Sequence, residues 1–257
     1  MARLAITGAA GNVGRALLDG LDDHDVEAFT HNEHDDLDST LLDVTDPDDV
    51  TEKLVDFDAV IHLAGASSPF AEWDAVVDTN VHGTKHVFDA AVENGIDRVV
   101  FASSNHAVGT YNVDERDDPE TLRDGEFELV EPDDPGRPDS FYGVSKVACE
   151  GISSYYAVRH GVEAVNLRIG WLMDEATLRE EADSEANRAR FARAMWLSPR
   201  DCRDVVEKAA TADLPENPIA LHGISRNANR VMSLSETQLA VGYRPQDDAI
   251  EVVGEVD

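Results

Sequence analysis

The chain has 257 residues, 42% of them hydrophobic, with 53 acidic against 21 basic side chains and a formal net charge of -32. That length holds one large α/β domain or a domain with an appendage, and a charge of this sign repels phosphate backbones and anionic lipid, which argues against nucleic acid and membranes as partners. No apolar run reaches the roughly 18 residues of a membrane span and no basic, hydrophobic leader precedes the first strand pattern, so a soluble, cytoplasmic protein is expected.

The acids are interleaved with apolar periodicity along the whole chain, and only four lysines occur: Lys53, Lys85, Lys146 and Lys208. Such a chain suits concentrated salt, where screening over about 3 Å suppresses self-repulsion, and a halophile's cytoplasm is the expected home. Cys149 and Cys202 show no C-x-x-C or zinc spacing and are expected as reduced packing residues.

Ala2 to Thr7 reads as a short apolar strand. Gly8-Ala9-Ala10-Gly11-Asn12-Val13-Gly14 follows, and then the helical run Arg15 to Leu18. Glycines at that turn let the backbone approach a pyrophosphate, and the helix start offers free N–H groups. A glycine motif alone carries little weight, but strand before and helix after supply the context of a dinucleotide site. Val26 to Phe29 reads as the second strand, ending at Thr30-His31-Asn32. NAD-specific sites usually carry Asp or Glu near that point for the ribose hydroxyls; Glu33 falls late, and the acids through Asp38 read as a solvated loop. With neutral groups there and no arginine to attract a 2′-phosphate, NAD and NADP are both expected.

Asp46-Pro47 opens a helix as cap and first-turn proline. Ala59 to Leu63 reads as a buried parallel strand, with Ser67 and Ser68 at its C-terminal edge, where open parallel sheets bind ligands. His82 and His86 share a helix face, but no third ligand accompanies them and no metal is expected. Asp97 to Phe101 is the next strand, leading into Ser103-Ser104-Asn105-His106. Residues 107 to 139 form a long polar connection, expected to wall the substrate pocket. Ser140 caps a helix that runs to about His160 and stops at Gly161. Tyr142 and Lys146 lie one above the other on it, so the ammonium favours the ionised phenol and the pair forms a general base. Ser104, at the end of a neighbouring strand, can hold the substrate oxygen whose proton is taken. Together they make a site for oxidising a hydroxyl or reducing a carbonyl.

Arg168 sits in the strand Ala164 to Gly170. After it come a helical, arginine-rich segment from Glu175 to Met195, a helix from Asp201 to about Ala212, a short strand near Ile219 to His222, and a helix after Ser235. The alternation over residues 2 to 170 argues an α/β, doubly wound parallel sheet as residues 1–170, with 171–257 a small substrate cap interleaved with the core.

Thr7-Gly8-x-x-Gly11-x-x-Gly14, Asn80-x-x-Gly83-Thr84, the Ser104 strand end and Tyr142-x-x-x-Lys146 together resemble the extended short-chain dehydrogenase/reductase family. Within it, Phe101 to Gly109 and Leu167-Arg168-Ile169-Gly170 resemble the uronate dehydrogenases and related aldose 1-dehydrogenases. Ala194 to Cys202 and Gly242 to Asp247 are similar to haloarchaeal NAD-dependent glucose-6-phosphate dehydrogenase. The resemblance implies a Rossmann fold that binds NAD or NADP through Gly8, Gly11, Asn12, Val13, Gly14, Asp43, Val44, Leu63, Ala64, Gly65, Asn80, Tyr142 and Lys146. Asp43 would then contact the adenine edge, and Asn80 would support a proton relay behind the lysine.

It further implies that Tyr142 removes the anomeric proton while C1 gives hydride to the nicotinamide, producing a lactone. Ser104 would hold the anomeric oxygen, Lys146 the nicotinamide ribose, and Ser67, Asn105 and His106 the sugar. Arg168 would pair with a carboxylate or phosphate, and the arginines of 188 to 203 also suit oxyanions. Glucose 6-phosphate or a hexuronate is the expected substrate, another aldose staying open, and a homo-oligomer is expected. A sugar-nucleotide epimerase or dehydratase stays an alternative, although it needs a larger C-terminal domain than the residues after Arg168 provide. A nonenzymatic NAD(P)-sensing protein stays another, with no need of Ser104, Tyr142 and Lys146 together.

Overall fold

The computed structural model describes residues 1–114 and 117–254; Glu115 and Arg116, inside the long 107–139 connection, lie outside the described residues, as do 255–257. In chain order the strands are β1 (Arg3–Thr7), β2 (Asp25–Thr30), β3 (Thr40–Leu41), β4 (Ala59–His62), β5 (Arg98–Ser104), β6 (Glu163–Ile169), β7 (Trp171–Leu172), β8 (Trp196–Leu197) and β9 (Ile219–Gly223). Seven of them form one sheet in the order β3-β2-β1-β4-β5-β6-β9, parallel at every pairing. β7 and β8 make a separate parallel pair, Trp171 opposite Trp196.

Successive side chains of a strand point to opposite faces, and both faces of this sheet are covered, so the central strands are apolar throughout. Leu4, Ile6, Ile61, Val100 and Leu167 pack on one face with Leu17 of α1 (Asn12–Leu18), and with Val205 and Val206 of the later helix Pro199–Thr211. Ala5, Val60, Val99 and Ala164 pack on the other with Val50 of α2 (Pro47–Lys53). A short α3 (Trp73–Ala75) runs through a π-helical turn, Val76–His82, into α4 (Gly83–Asn94), whose Val87 and Phe88 join this second face with Tyr156 of α5 (Phe141–His160). Because α1 leaves β1 toward one face and α4 follows β4 on the other, a crevice opens between the C-terminal ends of β1 and β4, the usual ligand position of such sheets.

Local chemistry sets the helix ends. Asp46 accepts from Asp48 N–H at 3.0 Å and Asp49 N–H at 3.3 Å. Ser140 accepts from Gly143 N–H at 3.0 Å, and Gly161 ends α5 with φ +79°, a conformation that favours glycine. The stretch Glu175 to Met195 is two helices, α6 (Glu175–Ala182) and α7 (Ala186–Met195). The Ser184 hydroxyl bonds the Glu181 carbonyl at 2.6 Å, offering the backbone an alternative to the helical ladder.

The chain returns to the sheet after this excursion. The helix α8 (Pro199–Thr211), capped by Ser198, lies on the α1 face, and β9 pairs with β6, Arg168 opposite His222. α9 (Ser235–Val241) and α10 (Ala249–Val253) complete the described chain. Residues 199–223 add a helix and an edge strand to the sheet layer, and Ile224, Val231, Leu234 and Val241 of the following segment pack into the same core as Leu4 and Leu167. Among the described residues no helix is long and apolar enough to cross a membrane.

Candidate active site

The crevice is one continuous groove in three parts. The widest, about 590 Å³, is lined by Thr7, Gly8, Gly11, Thr30, His31, Asn32, His34, Asp43, Val44, Leu63, Ala64, Gly65 and Ser67. Gly8, Gly11, Leu63 and Ser67 lead into a middle part of about 380 Å³ that adds Asn12, Val13, Gly14, Ser104, Tyr142, Lys146, Trp171 and Leu172. Ser67, Ser104, Tyr142 and Trp171 continue into an end cavity of about 130 Å³ with Pro69, Asn105, His106, Glu120, Gly170 and Phe191.

A dinucleotide fits the first two parts. Gly8 takes φ +72°, and a Cβ there would fall 2.6 Å from Ala64 N; a Cβ on Gly14 would fall 2.5 Å from Ala9 O. Both turns thus need bare backbone. Gly11 caps α1 without a side chain, leaving first-turn N–H groups for an anion. Asp43 is held as an acceptor by Thr45, whose hydroxyl and backbone N–H reach Oδ1 at 2.7 and 2.9 Å. Those bonds, the hydroxyl first, pull its carboxyl below the usual range.

Tyr142, Lys146 and Ser104 meet in the middle part, all buried. The Lys146 ammonium donates to Ala102 O at 2.7 Å and stands 5.3 Å from the Tyr142 ring centre. Ser104 Oγ accepts from His106 N–H at 3.2 Å and donates to Asn105 Oδ1 at 3.3 Å. Behind the trio, His62 bridges Thr7 Oγ1 at 2.7 Å and Thr84 Oγ1 at 3.3 Å. Burial, aided by the Lys146 charge, pushes its pKa down to about 3 and keeps it neutral. In the end cavity the Asn105 amide nitrogen is buried without a partner among the described residues, a donor left for a ligand.

Two residues assigned from the sequence do not reach the groove. Asn80 is a brace: Oδ1 accepts from Ala66 N–H at 2.7 Å, and Nδ2 donates to Ser145 Oγ at 2.8 Å and Ala66 O at 3.3 Å. Its amide is spent holding the β4 turn against α5, with Gly65 bare because a Cβ would fall 2.8 Å from Asn80 Oδ1. Arg168 is the second correction. It is 4% exposed, paired side-on with Glu150, and its remaining nitrogen donates to Pro132 O at 3.2 Å, so no part of it faces a substrate. Of the later arginines, Arg188 is held by Glu120 and Glu181, Arg190 donates to Leu122 O and Arg200 pairs with Asp247, while the buried Arg193 donates to Ala189 O, keeps Nε without a partner among the described residues and does not line the groove.

Other groups in and around the groove lay outside the sequence reading. Trp171, two residues past β6, follows the rule that ligands meet strand C-termini and was within reach of that argument. Phe191 and Glu120 arrive from distant segments. Arg15 overturns the expectation of no arginine near the second-strand turn. Its Nε donates to Ala10 O at 3.0 Å, and its other nitrogens reach Asp36 at 2.8 and 3.3 Å. Ala10 lines the first cavity, so the guanidinium is tied to its wall through Ala10 O, although neither Arg15 nor Asp36 lines it. Glu33 does not line it.

A switch-point crevice of dinucleotide length, ending on a buried phenol, ammonium and hydroxyl, is the equipment of a nucleotide-dependent oxidoreductase. Residues 4–195 match the NAD dependent epimerase/dehydratase family, and the chain belongs to it. It is 50% identical over 254 residues to an L-arabinose 1-dehydrogenase (NAD(P)(+)) of Haloferax volcanii, covering 98% of this chain and 100% of that protein. It is 38% identical over 256 residues to an NAD-dependent glucose-6-phosphate dehydrogenase of the same organism, covering 96% and 94%. Among solved structures, the glucuronic acid dehydrogenase of Chromohalobacter salexigens superposes with a TM-score of 0.80 at 29% identity, over 100% of this chain and 91% of that one.

Proposed function

We propose that the chain oxidises a neutral aldose at its anomeric carbon to the lactone, with NAD or NADP as hydride acceptor. The end cavity carries this reading. Among the described residues its lining includes no arginine or lysine, and its one charged side chain, Glu120, is an anion already held by Arg188. A terminal phosphate or carboxylate would enter there without a counter-charge. A neutral sugar meets hydroxyl and amide partners in Ser67, Ser104 and Asn105. The 50% identity to a pentose dehydrogenase supports the same choice.

When bound, the nicotinamide supplies the acceptor for the hydride leaving C1. Ser104 holds the anomeric oxygen, and the Tyr142 phenolate takes its proton, so that C1 becomes the lactone carbonyl and the products are lactone, reduced cofactor and one proton. Lys146, fixed by Ala102 O, keeps positive charge beside the phenol and favours its ionised form. Residues 171–198 act as a cap over the sugar end, contributing Trp171 and Phe191. We also read the chain as a cytoplasmic homo-oligomer. Its two cysteines are buried free thiols, as a reducing compartment allows, and Val144, Tyr155 and Val158 of α5 are exposed apolar side chains for self-contact.

The test is kcat/KM in molar KCl for L-arabinose, D-xylose, glucose, glucose 6-phosphate and glucuronate. A neutral aldose should lead the anionic sugars by about tenfold or more, roughly 1.4 kcal/mol of discrimination. Either anionic sugar leading every neutral one overturns the reading.

A further inference from the structure

Beside Tyr142 on the wall of the sugar cavity stands a histidine whose partner has no part in the reaction described above. His106 Nδ1 lies 2.9 Å from Asp139 Oδ2, and the Asp139 side chain is 2% exposed. A carboxylate only accepts, so Nδ1 carries the proton, and in the neutral ring Nε2 carries the lone pair. Nε2 has no partner among the described residues. The ring lines the cavity, stacked on Phe191 at 6.1 Å and edge-on to Tyr142 at 5.8 Å.

The backbone is shaped around this contact. A Cβ on Gly109 would fall 1.7 Å from Asp139 Oδ2, and a Cβ on Gly143 would fall 2.2 Å from His106 O. The second oxygen of Asp139 accepts from Ser140 Oγ at 2.8 Å, and Ser140 Oγ in turn caps α5 through Gly143 N–H. One carboxylate therefore joins the state of the imidazole to the helix start that carries Tyr142.

We propose that Asp139 is a positioning residue that fixes His106 as a hydrogen-bond acceptor at Nε2, so that the site selects a sugar with a hydroxyl, not an acceptor-only group, near the reacting carbon. This rests on His106 being a sugar contact, and the two parts are tested separately. Asp139→Asn keeps the shape. The Ser140 hydroxyl accepts from Gly143 N–H and donates its proton to Asp139 Oδ1, and keeping both bonds turns the new amide oxygen toward Ser140 and its NH₂ toward His106. The ring is then forced into the Nε2–H tautomer.

The first measurement is ¹⁵N NMR of histidine-labelled protein at about pH 8, where a histidine in water is neutral. The His106 signals are assigned by their loss in His106→Gln. Wild type should show protonated Nδ1 and Asp139→Asn protonated Nε2, with thermal melts and cofactor binding confirming that the variant is folded. The same tautomer in both, or Nε2–H in wild type, overturns the proposal. The second measurement compares kcat/KM for the parent aldose with its 2- and 3-deoxyfluoro analogues, since fluorine accepts weakly and cannot donate. At one position the parent-to-fluoro ratio should fall about tenfold or more in Asp139→Asn. Ratios unchanged at both positions, with the tautomer switched, overturn the selection of a sugar hydroxyl and identify His106 as no sugar contact.

Discussion

Arg168 and Glu150 meet side-on, Nε to Oε1 and Nη2 to Oε2, both at 2.9 Å, and the same carboxylate accepts from Ser103 Oγ at 2.6 Å. The pair joins β5, β6 and α5, and through Pro132 O it ties down the long 107–139 connection.

Arg168→Met should therefore act on stability. It leaves the Glu150 carboxylate, 14% exposed, without its partner, and breaking such a buried pair costs about 3–5 kcal/mol. Urea unfolding reads the loss. An unchanged midpoint with a raised KM confined to anionic sugars would return Arg168 to the substrate.

Tyr142→Phe removes the proton acceptor and keeps the ring beside Lys146 and His106. Turnover should fall by roughly 10²–10⁴-fold while NADH titration gives a nearly unchanged Kd. Retention of more than half the turnover, with a primary isotope effect showing hydride transfer to be rate-limiting, excludes it as the base.

Much of this was legible in the sequence, and the boundary is instructive. Each strand of the crevice, the glycine turn and the Ser104, Tyr142 and Lys146 trio follow local rules: periodicity, turn chemistry and helical spacing. Arg168 was misplaced because spacing gives its strand but not its face, and an arginine in an acidic chain finds carboxylates everywhere. Asn80 fell in a π-helical turn, whose extra residue per turn redirects side chains that a regular helix would have aimed elsewhere. Phe191 and Glu120 needed the packing of α7 and the long connection, which no local pattern encodes.

Cofactor choice should depend on the Arg15 and Asp36 pair. Asp36 holds the guanidinium by two hydrogen bonds, and Arg15 Nε is anchored on Ala10 O in the wall of the first cavity, so a 2′-phosphate entering there would compete with Asp36 for it. Arg15→Ala should lower kcat/KM with NADP by about tenfold and leave NAD within about twofold, since only the 2′-phosphate loses a cationic partner. Asp36→Asn should shift the ratio toward NADP. Equal losses for both cofactors in Arg15→Ala would mean that it only braces Ala10.

Two buried histidines set an acid limit. Burial, then the Lys146 charge, lowers His62 to about 3; burial, then the Arg168 charge, lowers His222 to about 3. Between the ordinary histidine value near 6.5 and about 3, the unfolded chain binds protons that the folded chain refuses, so stability rises with pH there and is lost on acidification. Each histidine contributes a slope of about 1.4 kcal/mol per pH unit, flattening above the ordinary value. Chemical unfolding between pH 7 and 4, in molar KCl to screen the carboxylates, should give a shallower slope for His62→Gln with His222→Gln than for wild type. Equal slopes would assign the acid sensitivity to other groups.

Since β9 closes the sheet beyond β6, the last third of the chain is not detachable. A fragment ending at Gly170 would keep the whole glycine turn and the Ser104, Tyr142 and Lys146 trio. It would also leave the outer N–H and C=O groups of β6 unpaired and strip Val205 and Val206 from the face that holds Leu17 and Val100. An open rim of that kind pairs with any strand it meets, so the shortened chain would precipitate before it bound a nucleotide. Exchange of substrate range between relatives has to graft 171–198 as an insert, with residues 199–223 left in place as the sheet's selvedge.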